Sequence, residues 1–397
     1  MVKLNWPHTR RFFMAALWMD FSSGMFIVAL PYLALSLGAK SMQLGQIGAV
    51  RGLAYMLACV PAAILSDRSN RRTLILVSSV CATGALMLVA RVTNLWQLGA
   101  VSVLWSAALA FFWPSLFGWL GDSHPKEQLG RAAGSVNVGW SIGVMSGGVV
   151  AGWLYEGSHS LPFIIAGLPA MLACFIMVAG TTSRHGRPAA PPTGPAQPGT
   201  KRRLAAAWLG NTTVCCMIGL ISGVFPELGL KLGVTSAVFG VLLAVFGVGR
   251  TLVYLSALTR WRHLEDWRLV IVAQLVAAGM VATVASAGSH LWLALVFAVS
   301  GVAGGAAYYL ALFRSLEGEG SRGLKSGIHE AALLGGLLIG TLGGGTIADR
   351  WGLRAPYVPT ACVVGLLVVV QIALNLSAGR ARVRAFVVPP EPPKQML

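Results

Sequence analysis

The sequence predicts an all-α membrane protein: 12 transmembrane helices in two pseudo-symmetric six-helix halves. Three observations carry that prediction. Of the 397 residues, 56% are apolar and only 11% charged, with a mean hydropathy of +0.71, outside the range of a water-soluble domain. Stretches of about 20 mostly apolar residues, the length that crosses a bilayer core, recur along the whole chain. The first half of the sequence also repeats in the second.

In order, the first six apolar runs are Phe12 to Leu33, Leu44 to Leu65, Leu74 to Ala90, Trp96 to Leu120, Ala132 to Trp153 and Leu161 to Gly180. Thr181 to Arg203 is a break rich in proline, glycine and arginine that reads as a non-helical cytoplasmic linker. Six more runs follow: Leu204 to Phe225, Ala237 to Ala257, Leu269 to Ser286, Leu291 to Phe313, Ser326 to Ala348 and Tyr357 to Leu376. The predicted organisation is therefore a first half over 1–180, a linker over 181–203, a second half over 204–378 and a tail over 379–397. The first run is too long for a cleaved signal peptide, so the first helix is expected to be retained.

A net charge of +17 would point to nucleic acid in a soluble protein, but here the basic residues fall in the breaks between apolar runs rather than on one face. With both termini inside, 23 basic residues lie on the cytoplasmic side, five lie outside, and Arg51 and Arg250 fall within helices. The positive-inside rule selects this orientation, in the cytoplasmic (inner) membrane. All six cysteines lie inside apolar runs with neither metal-ligand nor disulfide-framework spacing, and read as small buried hydrophobes.

Aligning the chain with itself at an offset of 195 pairs 11 identical residues over 29 ungapped positions, from Gly24/Gly219 through Pro31/Pro226 and Gly38/Gly233 to Gly52/Gly247. An offset of 193 pairs Gly134/Gly327, Gly143/Gly336, Gly147/Gly340 and Gly152/Gly345. Glycines so spaced on helices suit close helix packing, the role expected of Gly143, Gly147, Gly336 and Gly340.

After the second run comes Asp67-Arg68-Ser69-Asn70-Arg71-Arg72. It resembles the loop signature of the major facilitator superfamily (MFS), with Ala63 and Asn70 where that signature has glycine. Helix count, linker and duplication extend the resemblance along the whole chain. It implies the MFS fold and a cytoplasmic latch formed by Asp67 and Arg68, with Arg71 and Arg72 as the basic pair. Asp67 would face the positive N-terminus of the eleventh helix near Ser326. The run Gly143-x-x-x-Gly147-Gly148 resembles the glycine signature of proton-driven exporters, with Gly148 where those have proline and no arginine in the fourth helix.

Charges within spans are costly and mark candidate sites. They are Asp20, Arg51, Arg250 and Glu330, of which Asp20 and Arg250 lie roughly 12 to 15 Å from the cytoplasmic ends at the rise of an α-helix. Two arginines facing a central cavity would suit an anion, and the carboxylates a proton or cation; alternatively, Arg250 neutralises a carboxylate. His329 could assist proton transfer. Trp113, Tyr308 and Tyr309 are candidates to stack on a solute. An offset of 199 aligns Arg51 with Arg250 and competes with the offset of 195.

Gly139-Trp140-Ser141-Ile142-Gly143 matches a hydrolase elbow only on paper, being mid-helix. The resemblance implies no enzyme, no cofactor and no metal. It implies a secondary transporter moving a small organic solute by alternating access, proton-coupled through Asp20 or Glu330 as symport or antiport. Expected partners are membrane lipid, the small-molecule substrate and protons, with no nucleic acid, and the protein is expected to act as a monomer. The alternatives are an uncoupled facilitator or a non-transporting sensor or scaffold on the same fold.

Overall fold

A computed structural model describes residues 6–179, 199–260, 265–317 and 322–387. Every regular element among them is helical. The first half comprises α1 (Trp6–Ser36), α2 (Ser41–Arg68), α3 (Arg71–Val89), α4 (Leu95–Ser123), α5 (Lys126–Gly157) and α6 (Leu161–Ala179). The second comprises α7 (Thr200–Lys231), α8 (Ser236–Arg260), α9 (Trp267–Ala282), α10 (His290–Glu317), α11 (Arg322–Trp351) and α12 (Tyr357–Val387). All twelve are long and apolar enough to cross a membrane.

Local chemistry sets the helix ends. Asn70, Asn94 and Asp266 cap α3, α4 and α9, each side chain accepting from a backbone N–H of the first turn. The turns after α1 and α7 reverse at Gly38 and Gly233, whose φ values of 86° and 76° lie in the left-handed region that glycine tolerates. In both turns the next residue's N–H reaches back five positions, Ala39 to Ala34 and Val234 to Gly229, so the duplication extends to this hydrogen bond. Proline at 226 cannot donate to the ladder, and α7 accommodates it with a π turn over Leu220–Val224 just before it.

Two boundaries differ from expectation. Thr200 to Arg203 are the first turn of α7 rather than linker, and α12 continues through Val387, past the predicted limit at 378. Both segments are rich in basic residues, and a helix satisfies their backbone groups internally wherever proline does not interrupt it. The expected linker from 181 to 198 lies outside the described residues.

Helix packing rests on glycine, and it is symmetric. Gly143 and Gly147 of α5 lie against the backbone carbonyls of Leu17 and Phe21 of α1. Gly336 and Gly340 of α11 lie in the same way on Thr212 and Cys216 of α7, each 195 positions after its counterpart. Gly24 meets Val144, and Gly219 meets Leu337, in the equivalent relation.

The same rule joins the halves. Gly45 of α2 packs on Thr341 and Gly345 of α11, while Gly240 of α8 packs on Gly148 and Val149 of α5. Near the other end of α2, the Cβ of Ala63 would stand 2.9 Å from a Cβ added to Gly327. The close approach that the signature's glycine would allow is thus supplied by the partner helix. α2 with α11 and α5 with α8 form two long seams around a central region where α1, α7 and α10 also converge.

A Cβ at Gly147 or Gly340 would overlap a main-chain oxygen of the facing helix, which no rotamer change can relieve. Replacing either with valine is expected to cost about 1–3 kcal/mol of stability and to lower the thermal midpoint and monodisperse fraction in detergent. Gly84→Ala and Gly365→Ala, where nothing lies within 4 Å of the added carbon, should leave both unchanged.

Candidate functional site

Between the two seams lies one buried cluster of polar and aromatic side chains drawn from both halves. α8 contributes Arg250 and Tyr254, α5 Trp140 and Ser141, α1 Asp20, α2 Tyr55, α10 Tyr308, and α11 His329 and Glu330. Apart from half-buried Trp140, these side chains are 0% to 7% exposed. Ionisable groups are rarely so enclosed in a membrane bundle without partners, so their contacts decide what the cluster can do.

Arg250 is held on two sides. Its Nε donates to Ser141 Oγ at 3.0 Å, and its guanidinium carbon stands 4.0 Å from the centroid of the Trp140 ring. Ser141 is itself fixed, receiving Thr251 Oγ1 at 2.8 Å and donating to the Gly247 carbonyl at 3.2 Å. One terminal nitrogen of Arg250 has no hydrogen-bond partner in the protein. Asp20 lies within electrostatic range of Arg250 and beside Ser23 and Trp140, and its Oδ2 is also without a partner.

Glu330 faces two phenols. Tyr308 OH donates to its Oε1 at 3.2 Å and Tyr55 OH to its Oε2 at 3.3 Å, so one carboxyl bridges α2, α10 and α11. His329 Nε2 stands 3.8 Å from Glu330 Oε1, beyond hydrogen-bond range, and neither ring nitrogen has a partner. Tyr308 links the two charged groups: its ring centroid is 4.9 Å from both Trp140 and His329. The Tyr254 hydroxyl is a further buried group with no partner, and so is the side chain of Asn137, one turn along α5 from Ser141.

Unpartnered buried polar atoms cost about 1–3 kcal/mol each, so their concentration around one point indicates a place built to receive something polar. The surroundings enclose it. At the end carrying Gly38 and Gly233, Tyr32 OH donates to the carbonyls of Val234 and Thr235 at 3.1 Å, Ser236 Oγ to Gly152 at 3.0 Å, and Ser41 hydrogen-bonds Glu227.

Not every expected residue joins this cluster. Arg51 is not beside Arg250: its guanidinium lies over Phe26 and Trp105, at 5.5 and 5.9 Å, and lines a separate cavity of about 40 Å³ with Pro31, Gly223 and Thr341. The glycine contacts set the register at 195, and in that register Arg250 corresponds to Tyr55, with Arg51 one turn away. Trp113 packs against Phe112 and Phe117 of its own helix, and Tyr309 stacks on Phe313. Tyr55, Trp140, Ser141 and Tyr254 belong to the cluster although the sequence does not single them out. Trp140 and Ser141 lie inside the false hydrolase elbow, and the only signal for Tyr55 and Tyr254 is their pairing at the offset of 199.

In the loop signature, Arg71 carries the ion pairs. It meets Asp122 of α4 at 2.6 Å and Asp67 at 3.3 Å, and lies across Gly118. Arg71 thus ties the α2–α3 turn to α4 within the first half. Only Ser69 and Asn70 are non-helical in this stretch; Arg68 ends α2 and is exposed, and the backbone N–H of Arg72 is capped by Asn70 at 3.0 Å. The expected meeting of Asp67 with α11 near Ser326 falls on side chains outside the described residues.

Comparison with known proteins bears on what this architecture is for. The family model of the Major Facilitator Superfamily matches residues 12–313. The multidrug resistance protein MdtG of Yersinia enterocolitica is 24% identical over 183 residues, 44% of this chain and 43% of that protein. The quinolone resistance protein NorA of Staphylococcus aureus is 25% identical over 154 residues, 39% of each chain. The chain thus matches about two fifths of the length of these relatives. Among solved structures, a bacterial homologue of the human lysosomal transporter Spinster, inward-facing and occupied, superposes with a TM-score of 0.69 at 15% identity, over 95% of this chain and 97% of that one. The nucleoside transporter NupG gives 0.68 at 12% identity, over 92% and 98%. Family match and fold agree: the chain belongs to the major facilitator superfamily, and twelve helices among its described residues are long and apolar enough to cross a membrane.

Proposed function

We propose that this protein is a proton-coupled secondary transporter that moves a small organic solute across the cytoplasmic membrane by alternating access, acting as a monomer with both termini inside. The observation that carries the proposal is the placement of two buried carboxyls, Asp20 and Glu330, one from each half, in a single inter-half cluster with Arg250. Charge on Asp20 is balanced either by Arg250 or by a proton. A proton taken up there releases Arg250 and so changes what the two halves gain by staying together. Glu330, with two tyrosine donors and His329 alongside, is the second proton carrier.

Solute recognition falls to the same residues. Trp140, Tyr254 and Tyr308 present aromatic surface, while one terminal nitrogen of Arg250 and the polar atoms of His329 and Asn137 are buried without partners. A small organic molecule with an aromatic face and one or two polar groups satisfies both. The names of the two relatives, multidrug and quinolone resistance proteins, favour outward movement of such a compound.

The test is transport in inside-out vesicles with an imposed pH gradient, using a quinolone, a lipophilic dye cation and an organic anion as probes. Asp20→Asn and Glu330→Gln are each expected to reduce gradient-driven movement to the level of vesicles lacking the protein, while solute counterflow at equal pH persists. Gradient-driven accumulation that survives in both variants would overturn these carboxyls as the proton carriers, and its absence from the wild type, with counterflow intact, would leave an uncoupled facilitator.

Arg250→Lys keeps the charge but loses the planar group that stacks on Trp140 while bonding Ser141. Solute affinity should fall about ten-fold, ~1.4 kcal/mol, as read by the half-saturating concentration in counterflow. Arg51→Gln should shift it by less than about two-fold, because that guanidinium lies outside the cluster.

A further inference from the structure

One cavity lies away from the central cluster. It occupies about 700 Å³ inside the second half, between α7, α9, α10 and α12, at the end of the bundle that the basic residues assign to the cytoplasm. Four arginines line it, one from each surrounding helix: Arg203, Arg268, Arg314 and Arg380. Glu265 and Asp266 also line it, leaving a net charge of +2, and Asp266 is occupied in capping α9 at Arg268 N.

The cavity is graded from charged to apolar. Its inner end is closed by Gln371, which exchanges hydrogen bonds with Gln274 at 3.0 and 3.3 Å and donates to Thr213 at 3.2 Å. Its walls between that pair and the arginines are mainly aliphatic, among them Ile271 and Leu310. Leu376 lines the cavity and is 48% exposed, and Leu269, next to Arg268 in the chain, is 53% exposed. Exposed aliphatic side chains thus sit within about one helical turn of the arginines on α9 and α12.

We propose that this cavity binds the phosphate group of an anionic phospholipid of the cytoplasmic leaflet. Guanidinium groups offer paired donors that match phosphate oxygens, and arginines arriving from four helices surround the group rather than touching it from one side. Basic pockets between transmembrane helices on this face are sites for anionic headgroups. A lipid rather than a free phosphate is the occupant because the aliphatic wall and the exposed Leu376 and Leu269 lie alongside the charged rim, where acyl chains can lie. Bound there, one lipid would bridge all four helices and hold α9 and α12 together at their cytoplasmic ends.

The site is independent of the central cluster, so it can be tested without a known solute. Purified full-length protein in neutral detergent is titrated with short-chain phosphatidylglycerol, short-chain phosphatidylcholine or inorganic phosphate, and lipid adducts are counted by native mass spectrometry alongside thermal unfolding. Phosphatidylglycerol is expected to raise the thermal midpoint and to bind as one preferred adduct, whereas phosphatidylcholine and phosphate do not. Arg268→Gln combined with Arg380→Gln should weaken that adduct at least about ten-fold, while the midpoint without lipid stays within the scatter of the wild type. Arg10→Gln with Arg72→Gln, at the same face but away from the cavity, should leave it unchanged. Equal binding by both double variants and the wild type overturns the site. An equal shift from inorganic phosphate overturns the lipid as its source, and an equal shift from phosphatidylcholine overturns the role of charge.

Discussion

Close contact of helix backbones through glycine is the constraint on which the rest of this molecule depends. In a bilayer, lipid tails are as apolar as the helices, so burying leucine against leucine gains little over leaving it in lipid. Association rests on packing contacts that strengthen only as backbones come near, and glycine permits the nearest approach. Gly143 and Gly147 seat α5 on α1, and Gly336 and Gly340 seat α11 on α7. With α5 and α11 thus anchored in their own halves, each extends across to the other half, α5 to α8 and α11 to α2. The central cluster is held at the crossing points of these helices.

A symmetric frame carries an asymmetric site. At equivalent positions in the 195 register, α8 has Arg250 where α2 has Tyr55, and α7 has Cys215 where α1 has Asp20. In the 193 register, α11 has Glu330 where α5 has Asn137. One copy of the repeat therefore carries the buried arginine opposite the other's carboxyl, and the second carboxyl faces two tyrosines. Duplication supplies matched helix surfaces, and divergence at a few inward positions supplies the chemistry. Since each charge is met across the boundary between halves, any proton that alters one alters the contact energy of the other.

The loop signature shows how family resemblance and geometry divide the explanation. Family resemblance assigns the latch to Asp67 and Arg68, and Arg71 of the same motif pairs with Asp122, inside the first half. This pair braces the α2–α3 turn against α4, so that the end of α2 moves with its own bundle. Rigid halves are what rocking between two open states requires. The departure at Ala63 is offset on the facing helix by Gly327, which shows that what must be kept is the distance between two helices rather than a glycine on a particular one.

Sequence alone determined the helix count, the duplication and the identity of three of the charges buried in the central cluster, because each rests on a property one residue or one run possesses by itself: length, polarity, or identity to a counterpart. Asp20, Arg250 and Glu330 could be found by the cost of a charge in lipid. Which charges meet was beyond its reach. Offsets of 195 and 199 differ by about one helical turn, so both keep a residue on much the same face, and only the seating of Gly45 on Thr341 and of Gly240 on Gly148 chooses between them. That choice removes Arg51 from the cluster and admits Tyr55, and the same contacts bring Trp140 and Ser141 from a meaningless motif match to the side of Arg250. Trp113, Tyr308 and Tyr309 are alike as residue types, and only tertiary packing separates the one that touches Glu330 from the two that fill space. Partnership between side chains is a relation across helices, and no single helix carries it.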